Sequence, residues 1–276
     1  MLSESTITHE FVKAHPLEAA RILEKLGVKE VASFLKKAPP DSAAGVLKYI
    51  DRPTAAGCLE LMDVKESTAI VARIPLEIAS PVLRIARKQE CEMILRGLPD
   101  KLSGQLRVLL RYPEGTAGAI MDPQAFTLPE DITIKEALKR LKKHPEHVES
   151  YIYVLNRDNV LTGLFSVREL IFAGMDNLVS SVMTNPPKRL SPGMRRHAIM
   201  ENPDWNDYHL LPVVDETGIF LGAIKYQDIN RLESKVRENA GSLNGNHVAM
   251  ALGELYWTGL SSIMKGAFSV FKSDRP

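Results

Sequence analysis

The sequence predicts an α + α/β protein: an all-α superhelix of short helical repeats, a tandem pair of βαββα-type units and a C-terminal helix. Three observations support this prediction. A twelve-residue repeat fills the first hundred residues, a longer duplication covers residues 120–234, and an apolar stretch lies at 247–271. The predicted domains are residues 1–118, 119–178, 179–234 and 235–276.

Composition favours a globular, non-secreted chain. Its 276 residues carry 35 Lys+Arg and 34 Asp+Glu, a net charge of +1, which argues against nucleic acid as a partner because such proteins carry excess basic charge. Hydrophobic residues make up 45%, enough to bury a core, and two cysteines cannot build a disulfide framework. The first residues lack the charged and apolar run of a signal peptide, so we expect a cytoplasmic protein.

The N-terminal repeat divides the chain from Ala19 into seven units of twelve residues. Each unit has apolar residues at i, i+1 and i+4, which is typical of about two helical turns. The fifth position of the units is always aliphatic: Leu23, Leu35, Leu47, Leu59, Val71, Leu83 and Leu95. Because a two-turn helix is unstable alone, the units are predicted to stack and bury this spine together.

Smaller features of the repeat also carry predictions. Ser42, Thr54 and Ser67 stand where helix N-caps are expected. Cys58 and Cys91 occupy apolar positions of the repeat, which favours small buried side chains over a redox or metal role.

The second duplication aligns residues 152–170 with 211–229 without a gap, and residues 120–131 run parallel to 182–193. Each copy predicts a lead-in segment, a helix, a strand, a polar turn, a second strand and a helix. The predicted helices before the strands are Ile134–Lys143 and Met194–Glu201, and the predicted hairpin turns are Asn156–Asn159 and Asp215–Gly218.

This pattern resembles the CBS domain, present as a tandem pair. The resemblance implies clefts between the copies that bind an adenine nucleotide, ATP or AMP, or a related adenosyl ligand. The family pattern places Ser or Thr after the second strand and an acid three residues later for the ribose hydroxyls. The matching positions here are Ser166 and Glu169 in the first copy, and Lys225 and Asp228 in the second. The alternative is a CBS pair that serves only as a dimerisation platform.

A junction, RYPEGTAGAIMD at residues 111–122, joins the two repeats. Together with the helical repeats and the CBS pair it resembles the cytosolic part of MgtE-type magnesium transporters. The residues that carry this resemblance are Tyr112, Pro113, Glu114, Thr116, Ala117, Gly118, Ile120 and Met121. The flagellar-motor switch proteins are similar to residues 15–115 but lack a CBS pair. The MgtE resemblance implies a magnesium sensor in which Mg²⁺ enters between acidic faces.

The residues themselves do not single out a metal site. Residues 1–119 carry 17 Lys+Arg and 15 Asp+Glu, a difference of +2, and no acid-rich face stands out. Scattered carboxylates offer the oxygen ligands that Mg²⁺ prefers: Asp63, Asp100, Glu114, Asp122, Asp215 and Glu216. His144 and His147 flank Pro145 without a third ligand, which does not favour a metal site. The metal ligands therefore stay unassigned.

A basic run and the C-terminal stretch leave alternatives open. The run comprises Lys188, Arg189, Arg195, Arg196 and His197, and suits either a phosphate contact or a solvated face. The stretch at 247–271 follows a linker, Glu238–Asn246, and suits either a membrane-surface or partner-binding helix, or a segment that folds back on its own domain or caps a dimer. A membrane partner would place the protein at the inner membrane face.

Two functional hypotheses follow. The first is a non-enzymatic regulatory protein that binds Mg²⁺, an adenine nucleotide or both at the CBS pair and signals by rearranging its domains. The second is a ligand-free dimeric scaffold that recruits partners through the helical repeats and the C-terminal helix. No motif for phosphate cradling, a nucleophile elbow or a zinc protease is present, so catalysis is not expected.

Overall fold

The computed structural model describes residues 11–143, 151–186 and 189–229. The chain divides into two compact units, residues 1–226 and 227–276. The first unit begins with a run of short helices: α1 (Pro16–Leu23), α2 (Val28–Lys37), α3 (Pro40–Leu47), α4 (Arg52–Leu61), α5 (Val64–Val71), α6 (Leu76–Ile85), α7 (Lys88–Gly97) and α8 (Asp100–Arg111). The helical superhelix predicted from the repeat is confirmed.

The packing unit of the superhelix is a pair of helices. Most helices in the run pack mainly against the helix two places along the chain, so odd and even helices form two layers. Helix length alternates between eight and ten residues from α1 to α6. The sequence repeat of twelve residues thus corresponds to a structural repeat of twenty-four, because each layer takes every second unit.

The aliphatic spine is buried as predicted. Every side chain of the fifth column lies in one continuous core, with at most 6% of its surface exposed. Cys58 is fully buried in this core, where burial and the charge of Asp51 raise the pKa of its thiol to about 11. Cys91 is half-buried against the same core, and burial raises the pKa of its thiol as well. Both thiols therefore stay protonated at neutral pH and pack as small hydrophobes.

The three predicted N-caps were placed three to four residues too late. Ser42, Thr54 and Ser67 lie inside helices, and the helices that they were expected to cap begin after Pro39, Asp51 and Asp63. The Asp51 carboxylate accepts from the Thr54 N–H at 3.0 Å, so the aspartate is the cap. Carboxylates satisfy the free amide groups of a first turn as well as hydroxyls do, and Asp51 and Asp63 precede Thr54 and Ser67 in the chain. The helix that contains Ser42 instead begins at Pro40, a residue type favoured in the first helical turn.

The second half of the first unit contains two similar α/β copies. The first copy comprises α9 (Ala117–Ile120), β1 (Thr127–Pro129), α10 (Ile134–Lys143), β2 (Tyr151–Leu155), β3 (Leu161–Ser166) and α11 (Val167–Phe172). The second comprises α12 (Arg196–Met200), β4 (Leu210–Val214) and β5 (Phe220–Lys225). Strand β1 pairs parallel with β2, while β2–β3 and β4–β5 are antiparallel hairpins.

The two copies repeat each other down to the hydrogen bonds of their turns. The side chains of Asn156 and Asp215 accept from the backbone N–H groups two and four residues ahead in each turn. Asn159 and Gly218, the matching turn residues, both adopt positive φ, at 60° and 86°. Leu190 pairs parallel with Val213, as Leu128 pairs with Val154 in the first copy. The gapless alignment of the sequence therefore describes equivalent backbone positions.

The lead-in segment of each copy pairs with a strand of the other copy. Asp122, ahead of the first copy, exchanges two backbone hydrogen bonds with Ala223 of β5 at 2.7 and 3.1 Å. Thr184, ahead of the second copy, exchanges the equivalent pair with Leu164 of β3 at 2.8 and 3.0 Å. The buried Tyr153 hydroxyl adds a direct link by donating to the Leu210 carbonyl at 2.9 Å. The two copies are therefore interlocked through their lead-in segments.

Candidate functional site

A cleft of about 360 Å³ opens at the carboxyl end of β3, between the two copies. It is lined by Tyr151, Leu164, Ser166, Glu169, Thr184, Asp207 and Tyr208. Both predicted site residues of the first copy are therefore in this cleft. The second copy contributes residues that precede β4, and its lead-in contributes Thr184, so neither copy forms the cleft alone.

Strand register brings the lining side chains together. Tyr151 at the start of β2 pairs with Ser166 at the end of β3, so both face the same end of the hairpin. The Tyr151 and Tyr208 rings lie with centroids 5.4 Å apart at 56°. This ring pair forms an aromatic wall that joins the first copy to the segment before β4. The Thr184 hydroxyl donates to the Leu164 carbonyl at 3.2 Å, which holds Thr184 against β3.

Ser166 and Glu169 are bound to each other by a reciprocal cap. The Ser166 Oγ accepts from the Glu169 N–H at 3.1 Å, and the Glu169 Oε2 accepts from the Ser166 N–H at 2.6 Å. The arrangement is a capping box at the start of α11, which satisfies two amide groups that lack helical partners. The Glu169 carboxylate is exposed and retains its second oxygen, Oε1, for a ligand.

The lining carries negative charge. Glu169 and Asp207 bring two exposed carboxylates, and none of the seven lining residues is Lys or Arg. The hydroxyl groups of Tyr151, Tyr208 and Thr184 complete the polar surface. Such a lining suits a ligand with a flat ring and a diol, and it opposes the approach of bare phosphate groups.

The two predicted residues of the second copy are placed differently. Lys225 is half-buried at the end of β5 and does not line this cleft. Asp228 is exposed and belongs to the second compact unit. By the internal alignment they match Ser166 and Glu169, so their part in a second site stays a prediction.

The scattered carboxylates considered for Mg²⁺ largely have structural partners. Glu114 forms an ion pair with Arg52 at 2.7 Å, and the Asp122 carboxylate accepts from the Gln124 N–H at 2.8 Å. Hydrogen bonds from the Thr217 hydroxyl and the turn amides hold the pKa of Asp215 below its ordinary value. Among the residues that the structure describes, no group of three or more His, Cys, Asp or Glu side chains is placed to hold a metal ion.

The junction after α8 is fastened to the second copy through its backbone. The Ala117 and Gly118 N–H groups donate to the Met194 and Pro192 carbonyls at 2.8 and 2.9 Å, and the Arg196 N–H donates to the Gly115 carbonyl at 2.8 Å. Gly115 has a φ of 75°, a conformation that favours glycine. The junction at the end of the superhelix is thus hydrogen-bonded to residues 192–196, and the chain continues from these residues through α12 to the cleft residues Asp207 and Tyr208.

The residues of the basic run contact different parts of the chain and do not form one surface at the cleft. The backbone of Arg195 pairs with that of Thr116 at the junction, and the Arg189 guanidinium donates to the Leu161 carbonyl at 3.0 Å. His197 lies 3.3 Å from Glu201. Neither Arg189 nor Arg195 lines the cleft. Lys188 lies outside the described residues.

Sequence reasoning missed most of the lining. Asp207 and Tyr208 lie in a segment between the aligned blocks, so comparing the copies gave no indication of them. Tyr151 lies one residue before the aligned strand, and Thr184 lies inside the lead-in block 182–193. The signal that could have identified Tyr151 is its position opposite Ser166 in the predicted hairpin.

Some predictions lie outside the described residues. These are the histidine pair His144 and His147, the linker Glu238–Asn246 and the apolar stretch 247–271. In the parts of the chain that are described, no helix combines the length and apolar character needed to cross a bilayer.

Comparisons with known proteins agree with this organisation. Residues 14–115 match the MgtE intracellular N domain, and residues 117–176 match the CBS domain. Among curated relatives, the magnesium transporter MgtE of Thermus thermophilus is 26% identical over 94% of this chain, and that of Bacillus subtilis is 23% identical over 78%. The chain spans 63% and 48% of the lengths of these two relatives.

Two solved structures share the fold. The cytosolic domain of the Mg²⁺ channel MgtE in complex with ATP superposes with a TM-score of 0.67 at 24% identity, covering 81% of this chain and 93% of that one. The soluble part of a magnesium transporter gives a TM-score of 0.58 at 22% identity, covering 82% and 95%. The chain therefore contains an MgtE intracellular N domain followed by a CBS domain, and its described residues have the fold of an MgtE cytosolic domain.

Proposed function

We propose that this chain is a non-enzymatic regulatory module that binds an adenine nucleotide, together with Mg²⁺, in the cleft between its CBS copies. The structural change that binding causes is then transmitted to the helical domain through the junction. The observation that carries the proposal is the cleft itself, which brings Ser166 and Glu169 together with two tyrosines and Asp207 from the other copy. The similarity to an MgtE cytosolic domain in complex with ATP supports the same ligand class.

The aromatic wall provides the contact for the base. Tyr151 and Tyr208 present ring surface at the edge of the cleft, and an adenine ring gains from stacking on such a surface. Stacking of a base on an aromatic side chain contributes about 1–3 kcal/mol in nucleic-acid complexes. Removing the Tyr208 ring is therefore expected to weaken binding about 5- to 150-fold, whereas removing only its hydroxyl is expected to weaken binding much less.

The carboxylates provide the contact for the ribose. A diol donates two hydrogen bonds, which a carboxylate accepts with its two oxygens. Asp207 is exposed in the cleft with both oxygens available for this geometry, whereas one Glu169 oxygen is engaged in the cap of α11. We assign the ribose primarily to Asp207, with Glu169 contributing its remaining oxygen.

Magnesium enters this proposal as the partner of the phosphates. Two carboxylates without a lining cation repel a polyphosphate, and Mg²⁺ removes that repulsion by neutralising phosphate charge. Mg²⁺ binds readily through one or two carboxylates plus substrate phosphates and keeps several waters. We therefore expect ATP to bind more tightly with Mg²⁺ than without it, and expect AMP to depend on Mg²⁺ less.

A continuous set of contacts leads from the cleft to the superhelix. Tyr208 follows a short 3₁₀ turn at Pro203–Asn206, and the indole N–H of Trp205 in that turn donates to the Ile199 carbonyl of α12 at 2.6 Å. The residue that starts α12 donates its N–H to Gly115 of the junction. A ligand that shifts Tyr208 would thereby act on the end of the superhelix. Such a shift signals only if the ligand binds one arrangement more tightly than the other.

The proposed assembly is a homodimer through the CBS pair that acts on a membrane-embedded transport protein from the cytoplasmic side. The support is that relatives of this chain are whole magnesium transporters, of which it spans a part. Light scattering of the purified protein measures the mass, and a single monomeric mass across micromolar concentrations would refute the dimer.

Calorimetric titration of the full chain with ATP, AMP and S-adenosylmethionine, each with Mg²⁺ and with a chelator, tests the ligand. Tyr208→Phe, Tyr208→Ala and Asp207→Asn probe the base and ribose contacts, and Glu77→Gln serves as a matched loss of one exposed carboxylate in the helical domain. We expect saturable binding that Tyr208→Ala and Asp207→Asn weaken and Glu77→Gln does not. Absence of binding by all three ligands at millimolar concentration would favour the ligand-free scaffold.

The signalling step has its own measurement. Hydrogen exchange of the backbone amides at residues 111–118 is compared with and without the ligand that binds. Slower exchange at the Ala117 and Gly118 amides is expected, because their acceptors lie in the segment that leads to Tyr208. Unchanged exchange in the presence of saturating ligand would leave the cleft as a binding site without transmission to the superhelix.

A further inference from the structure

The two cleft residues that the second copy contributes lie on a short irregular segment. Asp207 and Tyr208 follow the 3₁₀ turn Pro203–Asn206 and precede β4. In the proposed function these two residues contact the ribose and the base, so their positions decide whether a nucleotide fits. We call residues 202–208 the cleft turn.

The backbone of the cleft turn depends on one carbonyl and one side-chain cap. The Asp204 carbonyl accepts from the Asp207 N–H at 3.1 Å and from the Tyr208 N–H at 2.9 Å. The Asp204 N–H in turn donates to the side-chain oxygen of Asn202 at 2.9 Å, so Asn202 caps the start of the turn. Loss of this cap would loosen the residue on which both cleft residues depend.

A single buried side chain anchors the cleft turn to the rest of the second copy. Within residues 201–209, all of which the structure describes, Trp205 is the one buried residue, with 9% of its surface exposed. Its indole N–H donates to the Ile199 carbonyl of α12 at 2.6 Å. Its ring packs on that of Tyr226, which follows β5, with centroids 5.3 Å apart at 46°. A segment with so few buried contacts opens easily once its anchor is lost.

We propose that Trp205 and Asn202 are positioning residues of the nucleotide site. They hold Asp207 and Tyr208 in the arrangement that contacts the ribose and the base, and neither of them lines the cleft. The inference rests on the proposed function, because it takes Asp207 and Tyr208 as ligand contacts. A ligand that binds only the ordered turn has its apparent affinity reduced by the fraction of molecules in which the turn is ordered.

Calorimetric titration of the full chain with ATP and Mg²⁺ measures the effect on affinity. Trp205→Ala removes the anchor, whereas Trp205→Phe keeps a ring against Tyr226 and removes only the indole donor. Asn202→Ala removes the cap, whereas Asn202→Ser keeps a side-chain acceptor. The matched control is Leu128→Ala, which removes a fully buried side chain from the core of the first copy.

The variants are expected to differ in affinity as follows. Trp205→Ala should weaken binding about tenfold or more, because truncation of a buried aromatic ring is among the most disruptive substitutions. Asn202→Ala should weaken it about fivefold, the effect of one lost cap. The Phe and Ser variants should recover most of the affinity. Leu128→Ala should lower the Tm and leave the affinity unchanged.

A double substitution separates positioning from a general loss of stability. In a chain that carries Tyr208→Ala, the further change Trp205→Ala should weaken binding less than it does alone, because one of the groups that it positions is already absent. Equal weakening in both backgrounds would show that Trp205 does not act through Tyr208.

Hydrogen exchange without ligand tests the order of the turn separately from nucleotide binding. The amides of Asp207 and Tyr208 should exchange faster in Trp205→Ala and in Asn202→Ala. The Gly218 amide, which donates to the Asp215 carbonyl in the hairpin turn of the same copy, should be unchanged. Asn202 is only partly buried, so its variants decide the matter if Trp205→Ala does not fold.

Two results would overturn the proposal. Unchanged exchange at the Asp207 and Tyr208 amides would show that Trp205 and Asn202 do not order the turn. Faster exchange with unchanged affinity for ATP would show that the cleft binds without an ordered turn. Failure of the unaltered chain to bind ATP would instead refute the proposed function, and the exchange rates would still decide whether the two residues hold the turn.

Discussion

Two matched glycines test whether the CBS copies interlock as the structure shows. A Cβ added at Gly222 would lie 2.6 Å from the Asp122 carbonyl oxygen, and one added at Gly163 would lie 2.5 Å from the Met183 sulfur. The two glycines occupy equivalent positions of the two copies. The obstacle is backbone at the first position and a flexible side chain at the second, so the two alanine substitutions should differ in cost.

The expected loss of stability in each variant depends on whether the atoms next to the added Cβ can move. At Gly222→Ala the lead-in must shift, which costs about 1–3 kcal/mol as overpacking, and the hydrogen bonds between Asp122 and Ala223 lengthen, at about 1 kcal/mol each. A total of about 3–5 kcal/mol lowers the Tm by about 6–20 °C for a protein of this size. At Gly163→Ala the Met183 Sδ and Cγ can move by rotation about χ1 while its Cβ stays 3.0 Å away, so a smaller cost of about 1–2 kcal/mol is expected.

Differential scanning calorimetry of the two variants measures the difference. Gly104→Ala is the control, because it lies inside α8 with nothing within 4 Å of the added Cβ and should stabilise by up to about 1 kcal/mol. Equal Tm values for Gly222→Ala and the unaltered chain would refute the interlocked lead-in. A larger loss for Gly163→Ala than for Gly222→Ala would refute the reasoning from backbone rigidity.

Other predictions concern single contacts. Tyr153→Phe should lower the free energy of unfolding by about 1–2 kcal/mol in urea denaturation, because a buried carbonyl of the second copy loses its donor. Leu47→Ala should cost about 2–5 kcal/mol in the same assay, whereas Tyr49→Ala, exposed on the superhelix, should cost far less. Hydrogen bonds from Arg107, and then from Arg96, lower the pKa of Glu92 to about 2. Its stabilising contribution is therefore present above about pH 4.5 and is lost as the pH falls toward 2, so Glu92→Gln should flatten the pH dependence of stability in that range.

The superhelix could be predicted from sequence because its packing is local and periodic. Each unit packs against units one or two places along the chain. Every unit therefore needs a buried aliphatic residue at its fifth position. The twenty-four-residue structural period was not visible, because both layers use the same column of Leu and Val. Helix starts were misplaced where an aspartate and a hydroxyl residue compete as caps, as at Asp51 and Thr54.

The cleft could be predicted only in part. Ser166 and Glu169 were found because the hairpin is duplicated and their positions recur in the second copy. Asp207 and Tyr208 reach the cleft through tertiary packing across the pair, which leaves no periodic or repeated signal in the chain. The cap between Ser166 and Glu169 was also missed, although a serine followed three residues later by a glutamate is the pattern of a capping box.

The carboxylates of the superhelix bear on where magnesium acts. Glu24 and Glu60 occupy the same column of the repeat, and each accepts a backbone N–H at the start of a later helix, at Asp51 and Arg87. Other acids in the superhelix are held by arginine: Asp41 by Arg73, Glu92 by Arg107 and Glu114 by Arg52. Ions that bound these side chains would compete with caps and ion pairs of the folded state, whereas the cleft carboxylate Asp207 is exposed beside the proposed nucleotide site. The proposed nucleotide-linked role for Mg²⁺ therefore avoids competition with these five carboxylates of the folded helical domain.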